Sequence, residues 1–187
     1  MARVVLGVSG ASGAMLALDC ARALRSIGAE IELVCSPMAS RTLALELGEG
    51  AEAELVSMAS HVHAAGDMAA AISSGSHPVA GMLVAPCSMR SLSAIAGGLD
   101  DNLLVRAAGV QLKERRPLVL LAREAPLSLA HLRNMVAATE MGAIVLPPVP
   151  AFYLRPETTA DISRQIAARA VDLLRLAPPV AVAWPGG

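Results

Sequence analysis

Two short apolar runs, MLVA at 82–85 and LVLLA at 118–122, lie on either side of a segment with helical spacing, and they constrain the fold more than any other feature of the chain. Each run is long enough for one fully buried strand. Strands joined through a helix lie parallel in one sheet and end at the same edge. The stretch 82–124 therefore predicts a strand–helix–strand unit around which the rest of the chain is organised.

The remaining sequence repeats this alternation of apolar runs and helical periodicity. It predicts strands at 3–8, 30–35 and 143–148, and helices at 15–27, 37–47, 126–141 and 158–176, with 51–80 as the least regular part. This order predicts an α/β fold with a Rossmann-like, doubly wound parallel sheet in a three-layer αβα sandwich. No linker or internal repeat divides the chain, so we expect a single domain over residues 1–187.

Composition excludes several classes of protein. Apolar residues make up 55% of the chain, yet no run approaches the roughly 18 uncharged apolar residues that a membrane span needs. A net charge of −1 and only one Trp, one Tyr and one Phe argue against nucleic-acid binding, which uses basic surfaces and stacking platforms. Three cysteines without CxxC spacing indicate no disulfide framework. Because the N-terminus predicts a strand and not a signal peptide, we expect a cytoplasmic protein.

Small hydroxyl residues follow the predicted strands, at the edge where parallel sheets keep their ligands. SGASGA at 9–14 is a glycine-rich turn between a strand and a helix, although it matches neither G-x-G-x-x-G nor a P-loop, and a turn without a ligand explains it equally well. The polar turn at 87–91 and the pair Arg123-Glu124 follow the two central strands. Together these groups predict an anion cradle with cations and a carboxylate.

Ser12 and Glu46 are single residues with two readings each. The Ser12 hydroxyl is expected at a helix N-terminus, where a plain N-cap is the alternative to a functional role. Glu46 lies near the end of a helix within the apolar stretch TLALEL. A helix end disfavours a carboxylate, so an inward-facing Glu46 with a raised pKa is the alternative to a surface position.

His61 and His63 suggest a metal by their spacing. No third ligand has useful spacing from them. We therefore expect no metal site.

Seven blocks of sequence occur in one characteristic order. The most specific are APCSMRSLSAIA (85–96), LKERRPLVLLAREAPL (112–127) and GAIVLPPVPAFY (142–153); the others are SGASGA (9–14), ISSGS (72–76), NLLVRAA (102–108) and HLRNM (131–135). Together they resemble the UbiX-type flavin prenyltransferases. The related flavin-dependent cysteine decarboxylases carry a PASANT-like segment where this chain has PCSMRS, so they match less well.

The resemblance implies a metal-independent enzyme that joins the dimethylallyl group of dimethylallyl phosphate to N5 and C6 of reduced FMN. The product, prenylated FMN, would pass to a UbiD-type decarboxylase. The resemblance also implies a homo-oligomer, usually a dodecamer built of trimers, with FMN bound between subunits.

The same resemblance assigns residues by motif. Expected FMN contacts are Gly10, Ala11, Ser12, Ser36, Ser88, Met89, Arg90, Ser91 and Arg123. Expected contacts to dimethylallyl phosphate are Arg106, Lys113, Glu124, Tyr153 and Arg169. The expected catalytic residues are Ser12, Glu46 and Glu124, with Ser12 and Glu46 as the pair that handles protons.

The chain departs from the family pattern in two places. Gly109 stands where members usually have Asp, one turn before Lys113, and the change is expected to loosen that lysine. Met15-Leu16 follow the first turn, where an aromatic is common, so we expect a differently shaped flavin or prenyl pocket. In the apolar tail, 176–187, Trp184 is a candidate to lie over the prenyl chain, and the tail is expected to dock on a neighbouring subunit.

Three functions remain open at this point: flavin prenyltransferase, FMN carrier without prenyl transfer, and flavin-dependent decarboxylase. The donor is a monophosphate by resemblance, but a diphosphate is not excluded by the residues. Either Glu46 or the released phosphate is a possible acceptor of the flavin ring proton.

Overall fold

The computed structural model describes residues 1–184 and 186. At its centre is a six-stranded sheet in the order β3-β2-β1-β4-β5-β6, with every neighbouring pair parallel. The strands are β1 (Arg3–Val8), β2 (Glu30–Cys35), β3 (His61–His63), β4 (Gly81–Cys87), β5 (Leu118–Ala122) and β6 (Ile144–Val145).

Seven α-helices belong to the part of the chain that the structure describes. They are α1 (Ala14–Ser26), α2 (Pro37–Leu47), α3 (Ala51–Met58), α4 (Met89–Gly97), α5 (Leu103–Lys113), α6 (Leu129–Glu140) and α7 (Thr159–Asp172). Short 3₁₀ turns occur at Ala71–Ser73 and Phe152–Leu154. Among the described helices, none is both long enough and apolar enough to cross a membrane.

The helices cover both faces of the sheet and bury a separate apolar core on each. Successive strand residues point to opposite faces, so Leu6 belongs to one core and its neighbour Val5 to the other. The first core takes side chains from α1, α2, α3 and α7, and the second from α4, α5 and α6. Every residue of β4 is buried, which accounts for its continuous apolar sequence. The predicted three-layer, doubly wound fold is confirmed.

The structure differs from the prediction at the element boundaries. The helical segment between the two central strands is two helices, because α4 ends at Gly97 and is followed by Gly98, whose positive φ of 65° forms a left-handed C-cap. The last strand has only two residues, Ile144 and Val145, and the prolines at 147 and 148 follow it closely. The helices expected at 126–141 and 158–176 are α6 and α7, both shorter than expected.

The segment 51–80 holds two elements that the pattern did not predict. Helix α3 occupies its start, and β3 pairs in parallel with β2 at the edge of the sheet. The strand sequence is His-Val-His, and Val62 is exposed. A three-residue edge strand with polar side chains lacks the apolar run by which buried strands are recognised.

Candidate active site

The strand order reverses between β1 and β4, and the site lies at the carboxyl ends of these two strands. In doubly wound sheets this switch point opens the crevice that binds ligands. Ser9 joins the two strand ends: its hydroxyl donates to the Pro86 carbonyl at 2.8 Å and accepts from the Ser88 N–H at 2.8 Å. Ser9 is buried. It therefore fixes the spacing of the loops on either side of the crevice.

Helices α2 and α4 both begin at this edge with a serine N-cap. The Ser36 hydroxyl accepts from Ala39 N–H at 3.2 Å, and the Ser88 hydroxyl accepts from Ser91 N–H at 3.2 Å. These two expected FMN contacts therefore hold helix N-termini in place. The partial positive charge of a helix N-terminus favours an anion such as a phosphate nearby.

Helix α1 begins differently. Its N-cap is Gly13, with a φ of 105° that favours glycine and no side-chain cap of its own. The cap comes instead from Glu46 at the end of α2. The Glu46 carboxylate accepts from Gly13 N–H at 2.9 Å and from Ala14 N–H at 2.8 Å. This contact explains why a carboxylate stands at a helix C-terminus: it neutralises the N-terminus of the neighbouring helix.

Ser12, Glu46 and Arg123 come together beside that cap. Arg123 Nε donates to the Ser12 carbonyl at 3.1 Å, and all three residues line one shallow cavity of about 350 Å³. Ser12 is exposed and does not cap α1, so the N-cap reading of its hydroxyl is wrong.

The raised pKa expected for Glu46 is also wrong. Partial burial raises the pKa of this carboxyl, but hydrogen bonds from Ser12, Ala14 and Gly13 and the charge of Arg123 lower it more. Glu46 is exposed and not shielded among apolar neighbours. Its carboxylate is therefore held in the ionised form.

Gly10 lets the turn approach α2 closely. A Cβ at Gly10 would lie 2.4 Å from the Met38 Cβ and 3.1 Å from the Met38 carbonyl carbon. Thr42 Oγ1 also donates to the Gly10 carbonyl at 3.2 Å. We call the turn 10–14 together with Ser36, Glu46, Ser88 and Arg123 the edge site.

A second group of cations, the cation cluster, consists of Arg106, Lys113 and Arg116 on α5 and just after it. Arg106 Nη1 lies 2.7 Å from the Asp100 carboxylate, and its Nε donates to the Ser73 carbonyl at 3.0 Å. Lys113 Nζ pairs with Glu114 at 2.5 Å.

Gly109 does not leave an empty space on α5. A Cβ there would lie 3.0 Å from Asp100 Oδ1, and the same Asp100 carboxylate pairs with Arg106. A carboxylate from the preceding loop thus occupies the place beside position 109. The expected loosening of Lys113 stays a prediction, since its partner in the structure is Glu114.

A third group, the aromatic pocket, contains Tyr153, Arg169 and Trp184. The Tyr153 and Trp184 rings meet edge to face with centroids 4.9 Å apart. Both rings and Arg169 line a cavity of about 450 Å³ between the loop after β6, α7 and the tail. The tail folds back on its own chain here, because Val180 and Ala181 donate their N–H groups to the Asp172 carboxylate. Docking of the tail on a neighbouring subunit stays a prediction.

The remaining expected site residues lie around the same edge. Arg90 pairs with Asp101, and Glu124 accepts from Ala125 N–H at 3.0 Å. Met89 begins α4, and Ser91 is buried in its first turn. Among the residues described, no group of three or more His, Cys, Asp or Glu is arranged to hold a metal ion.

One chain does not bring all the expected donor-binding residues together. Helix α5, which carries Arg106 and Lys113, packs on one face of the sheet, whereas α7, which carries Arg169, packs on the other. Tyr153 lies with Arg169 in the aromatic pocket. The cation cluster and the aromatic pocket therefore belong to opposite sides of the molecule.

Comparison with known proteins decides the family. A family model described as Flavoprotein matches residues 1–170. The flavin prenyltransferase UbiX of Thauera aromatica is 48% identical over 184 residues, which cover 98% of this chain and 94% of the relative. The chain belongs to the UbiX-type flavin prenyltransferases. The resemblance first seen in the sequence blocks is thereby confirmed.

Solved structures of UbiX-type proteins share the whole fold. AnUbiX (PadA1), solved in complex with FMN and dimethylallyl pyrophosphate, has a TM-score of 0.94 and 44% identity and covers 100% of this chain and 98% of its own. A dodecameric FMN-dependent Ubix-like decarboxylase from Escherichia coli O157:H7 has a TM-score of 0.93 and 44% identity, with 98% of this chain and 100% of that one covered.

Two residues of this UbiX-type site were missed by sequence reasoning. Ser9 was part of the turn motif but was not singled out, although a hydroxyl directly after a buried strand is a usable signal. Asp100 was missed because its contact with Arg106 depends on the loop between α4 and α5. The one sequence signal for this contact is the glycine at 109, and the contact itself is seen only in the three-dimensional structure.

Proposed function

We propose that this chain is a flavin prenyltransferase that joins the dimethylallyl group of dimethylallyl phosphate to N5 and C6 of reduced FMN. The observation that carries this proposal is the edge site of a UbiX-type chain, where an ionised Glu46 stands beside the Ser12 hydroxyl and Arg123. Besides capping α1, this carboxylate lies beside a hydroxyl and a cation, the groups that removal of a flavin ring proton needs.

The edge site fits the mononucleotide. The capped N-termini of α2 and α4 suit its phosphate, as do the expected contacts Ser36 and Ser88. Gly10 lets its turn pack closely against Met38 of α2, which a Cβ at position 10 would prevent. When bound and reduced, FMN supplies the two ring atoms that become alkylated.

Proton handling is assigned to Ser12 and Glu46. Burial raises the pKa of Glu46, but hydrogen bonds from Ser12, Ala14 and Gly13 lower it more, so its carboxylate is ionised at neutral pH and accepts a hydrogen bond from the Ser12 hydroxyl. The pair would take up the proton that leaves the flavin ring. Arg123 neutralises part of this charge and fixes the Ser12 backbone. Phosphate released from the donor remains the alternative proton acceptor.

Donor binding is assigned to Arg106, Lys113, Tyr153 and Arg169, together with Glu124, which follows β5. Arginine forks and a phenol stabilise the charge that develops on phosphate oxygens as the C–O bond breaks. Trp184 and Tyr153 offer an apolar wall for the five-carbon chain.

We further propose that each site is completed by a second subunit. The cation cluster and the aromatic pocket lie on opposite sides of one chain, so a neighbouring copy is needed to bring their charges to one phosphate. A dodecamer like that of the E. coli relative would provide this arrangement. The prenylated flavin would then pass to a UbiD-type decarboxylase. We place the activity in the cytoplasm, where free thiols such as Cys20, Cys35 and Cys87 persist.

The test is anaerobic incubation of the protein with reduced FMN and dimethylallyl phosphate, followed by mass spectrometry of the released flavin. A gain of one five-carbon isoprenyl unit supports the proposal, and a parallel reaction with dimethylallyl diphosphate identifies the donor. Bound but unmodified FMN with both donors would favour the carrier. Release of CO₂ from an aromatic acid without added prenyl donor would favour the decarboxylase.

A further inference from the structure

A buried carboxylate, Glu32, lies in β2 outside the edge site. It is 2% exposed, and its oxygens meet three cationic or donor side chains from three other segments. His63 Nε2 is 2.5 Å from Oε2, His77 Nε2 is 3.1 Å from Oε1, and Arg3 Nε is 3.2 Å from Oε1. A carboxylate is buried in this way only when it is paired and hydrogen-bonded.

The Glu32 carboxyl is ionised, as its hydrogen-bonded partners require. Burial raises the pKa of its carboxyl, but the hydrogen bonds and charges of His63 and His77 lower it more. An ionised Glu32 accepts from the Nε2–H of both imidazoles, and Arg3 from β1, which also pairs with Glu30, lies 3.2 Å from it.

His77 differs from His63 in what it anchors. His63 belongs to β3 at the sheet edge, whereas His77 ends the serine-rich segment 73–77, which has no strand of its own. The His77 carbonyl accepts from Arg116 Nη1 at 3.0 Å, and the Gly75 carbonyl accepts from Arg116 Nη2 at 2.7 Å. The segment is therefore tied to the sheet through Glu32 and to the end of α5 through Arg116.

The same segment contacts the other two members of the cation cluster. The Ser73 carbonyl orients Arg106 through its Nε. Gly75 packs so closely on Lys113 and Glu114 that a Cβ at Gly75 would lie 2.5 Å from the Lys113 Nζ and 2.0 Å from Glu114 Oε1. One short segment thus meets Arg106, Lys113 and Arg116.

We propose that Glu32 and His77 are positioning residues, which hold segment 73–77 against α5 and thereby set the geometry of the cation cluster for the prenyl phosphate. The inference rests on the proposed function, because it takes Arg106 and Lys113 as the groups that bind the donor. Glu32 itself is buried. It acts through His77 and the backbone carbonyls of the segment.

Matched substitutions at the two histidines separate positioning from stability. His77→Leu and His63→Leu each remove one hydrogen bond to Glu32, but only His77 lies on segment 73–77. We expect His77→Leu to raise the KM for dimethylallyl phosphate about tenfold with kcat and FMN affinity little changed, because a displaced cation loses the same interaction in the ground state and in the transition state. His63→Leu should leave KM within about twofold of the parent while lowering the melting temperature comparably.

Rescue and a second readout complete the experiment. His77→Gln keeps a side-chain N–H for Glu32 and should bring the KM back close to that of the parent. Glu32→Gln should show the same raised KM as His77→Leu if it folds. Hydrogen exchange at the amides of 73–77 should speed up in His77→Leu and not in His63→Leu. Equal KM changes in the two leucine variants, or unchanged exchange in His77→Leu, would overturn the proposal. If the parent protein alkylates no flavin, the proposed function fails, and the exchange result alone decides whether Glu32 and His77 order the segment.

Discussion

The edge site and the cation cluster are held in place by different kinds of structure. In the edge site, charged groups rest on the ends of regular elements: Glu46 caps α1, and Arg123 directly follows β5. In the cation cluster, Arg106 and Arg116 are held by carbonyl groups of an irregular segment that is itself anchored by a buried carboxylate. The edge site is built at the ends of strands and helices. The cation cluster depends on contacts between residues that are distant in sequence.

This difference has a physical consequence for each region. Helix termini present N–H groups whose position is fixed by the helix, so the edge site is set by the fold itself. A loop carbonyl is only as well placed as the loop, so the cation cluster depends on the anchors of segment 73–77. Substitutions in the edge site should therefore affect chemistry or folding, and substitutions near the cation cluster should affect donor binding.

The largest effect is expected for Glu46→Gln. Loss of the carboxylate beside Ser12 should lower kcat at least about 100-fold, in line with other acid–base groups, while FMN stays bound. Single-turnover kinetics with mass spectrometry of the flavin measures this. Glu49→Gln, at an exposed position three residues on, is the matched control and should behave as the parent. Unchanged turnover in Glu46→Gln would leave the released phosphate as the proton acceptor.

The same Glu46 variant should also change how the stability of the protein depends on pH. Because the pKa of Glu46 is lowered by folding, its contribution to stability is complete above the pKa it has in the unfolded chain and is lost as the pH falls through its lower folded value. Thermal unfolding of the parent should therefore show an acid-side loss that Glu46→Gln lacks. Near neutral pH the variant should lose about 1 kcal/mol of stability, the usual value of a helix cap. If the melting temperatures of the two proteins fell equally as the pH is lowered, Glu46 would not be acting as a charged cap.

Gly10→Ala should weaken the fold at the edge site. Its Cβ would meet the backbone of Met38 as well as its side chain, so α2 must shift, at a cost of about 1–3 kcal/mol in the free energy of unfolding. Denaturant titration measures the change. Gly50→Ala is the control, because its Cβ would meet nothing within 4 Å and its φ of −82° suits any residue. Equal stabilities of the two variants would mean that the close approach at Gly10 is unimportant.

Gly75→Ala tests the cation cluster without threatening the fold. The atoms nearest to its Cβ are the side-chain ends of Lys113 and Glu114, which can move, so we expect a nearly unchanged melting temperature and a KM for dimethylallyl phosphate raised roughly fivefold to tenfold. Gly66→Ala lies in the same part of the chain, has no atom within 4 Å of the added Cβ, and serves as control. A pure loss of stability in Gly75→Ala would contradict the assignment of Lys113 to donor binding.

The smallest effect is expected in the aromatic pocket. Trp184→Leu removes the edge-to-face contact with Tyr153, worth about 0.5–1.5 kcal/mol, and should raise the donor KM about two- to fivefold. Trp184→Phe keeps an aromatic ring and should lie closer to the parent. Steady-state kinetics at saturating reduced FMN distinguishes the two. Identical KM values for all three proteins would remove Trp184 from the donor site.

The sequence predicted the parts of the molecule that depend on local pattern. Continuous apolar strands and helical periodicity were sufficient for the layers of the sandwich, and Ser36 lies at a helix start as the following proline suggested. The polar turn expected at 87–91 is shorter, because α4 already begins at Met89. The role of Glu46 was misjudged because periodicity shows which helix carries a residue, but not which neighbouring helix it caps. The anchor at Glu32 and His77 was missed for the same reason: these residues are 45 positions apart.

The contact between Asp100 and Gly109 has a consequence for how such chains diverge. A Cβ at 109 would lie 3.0 Å from the Asp100 carboxylate, so the two positions compete for one volume beside Arg106. In this chain the preceding loop supplies the negative charge beside that arginine, and an Asp at 109 would bring a second carboxylate into the same volume. Substitutions at 100 and 109 should thus be tolerated as a pair more readily than singly, and an exchange of the acidic residue between the two sites would appear in an alignment as two unrelated losses.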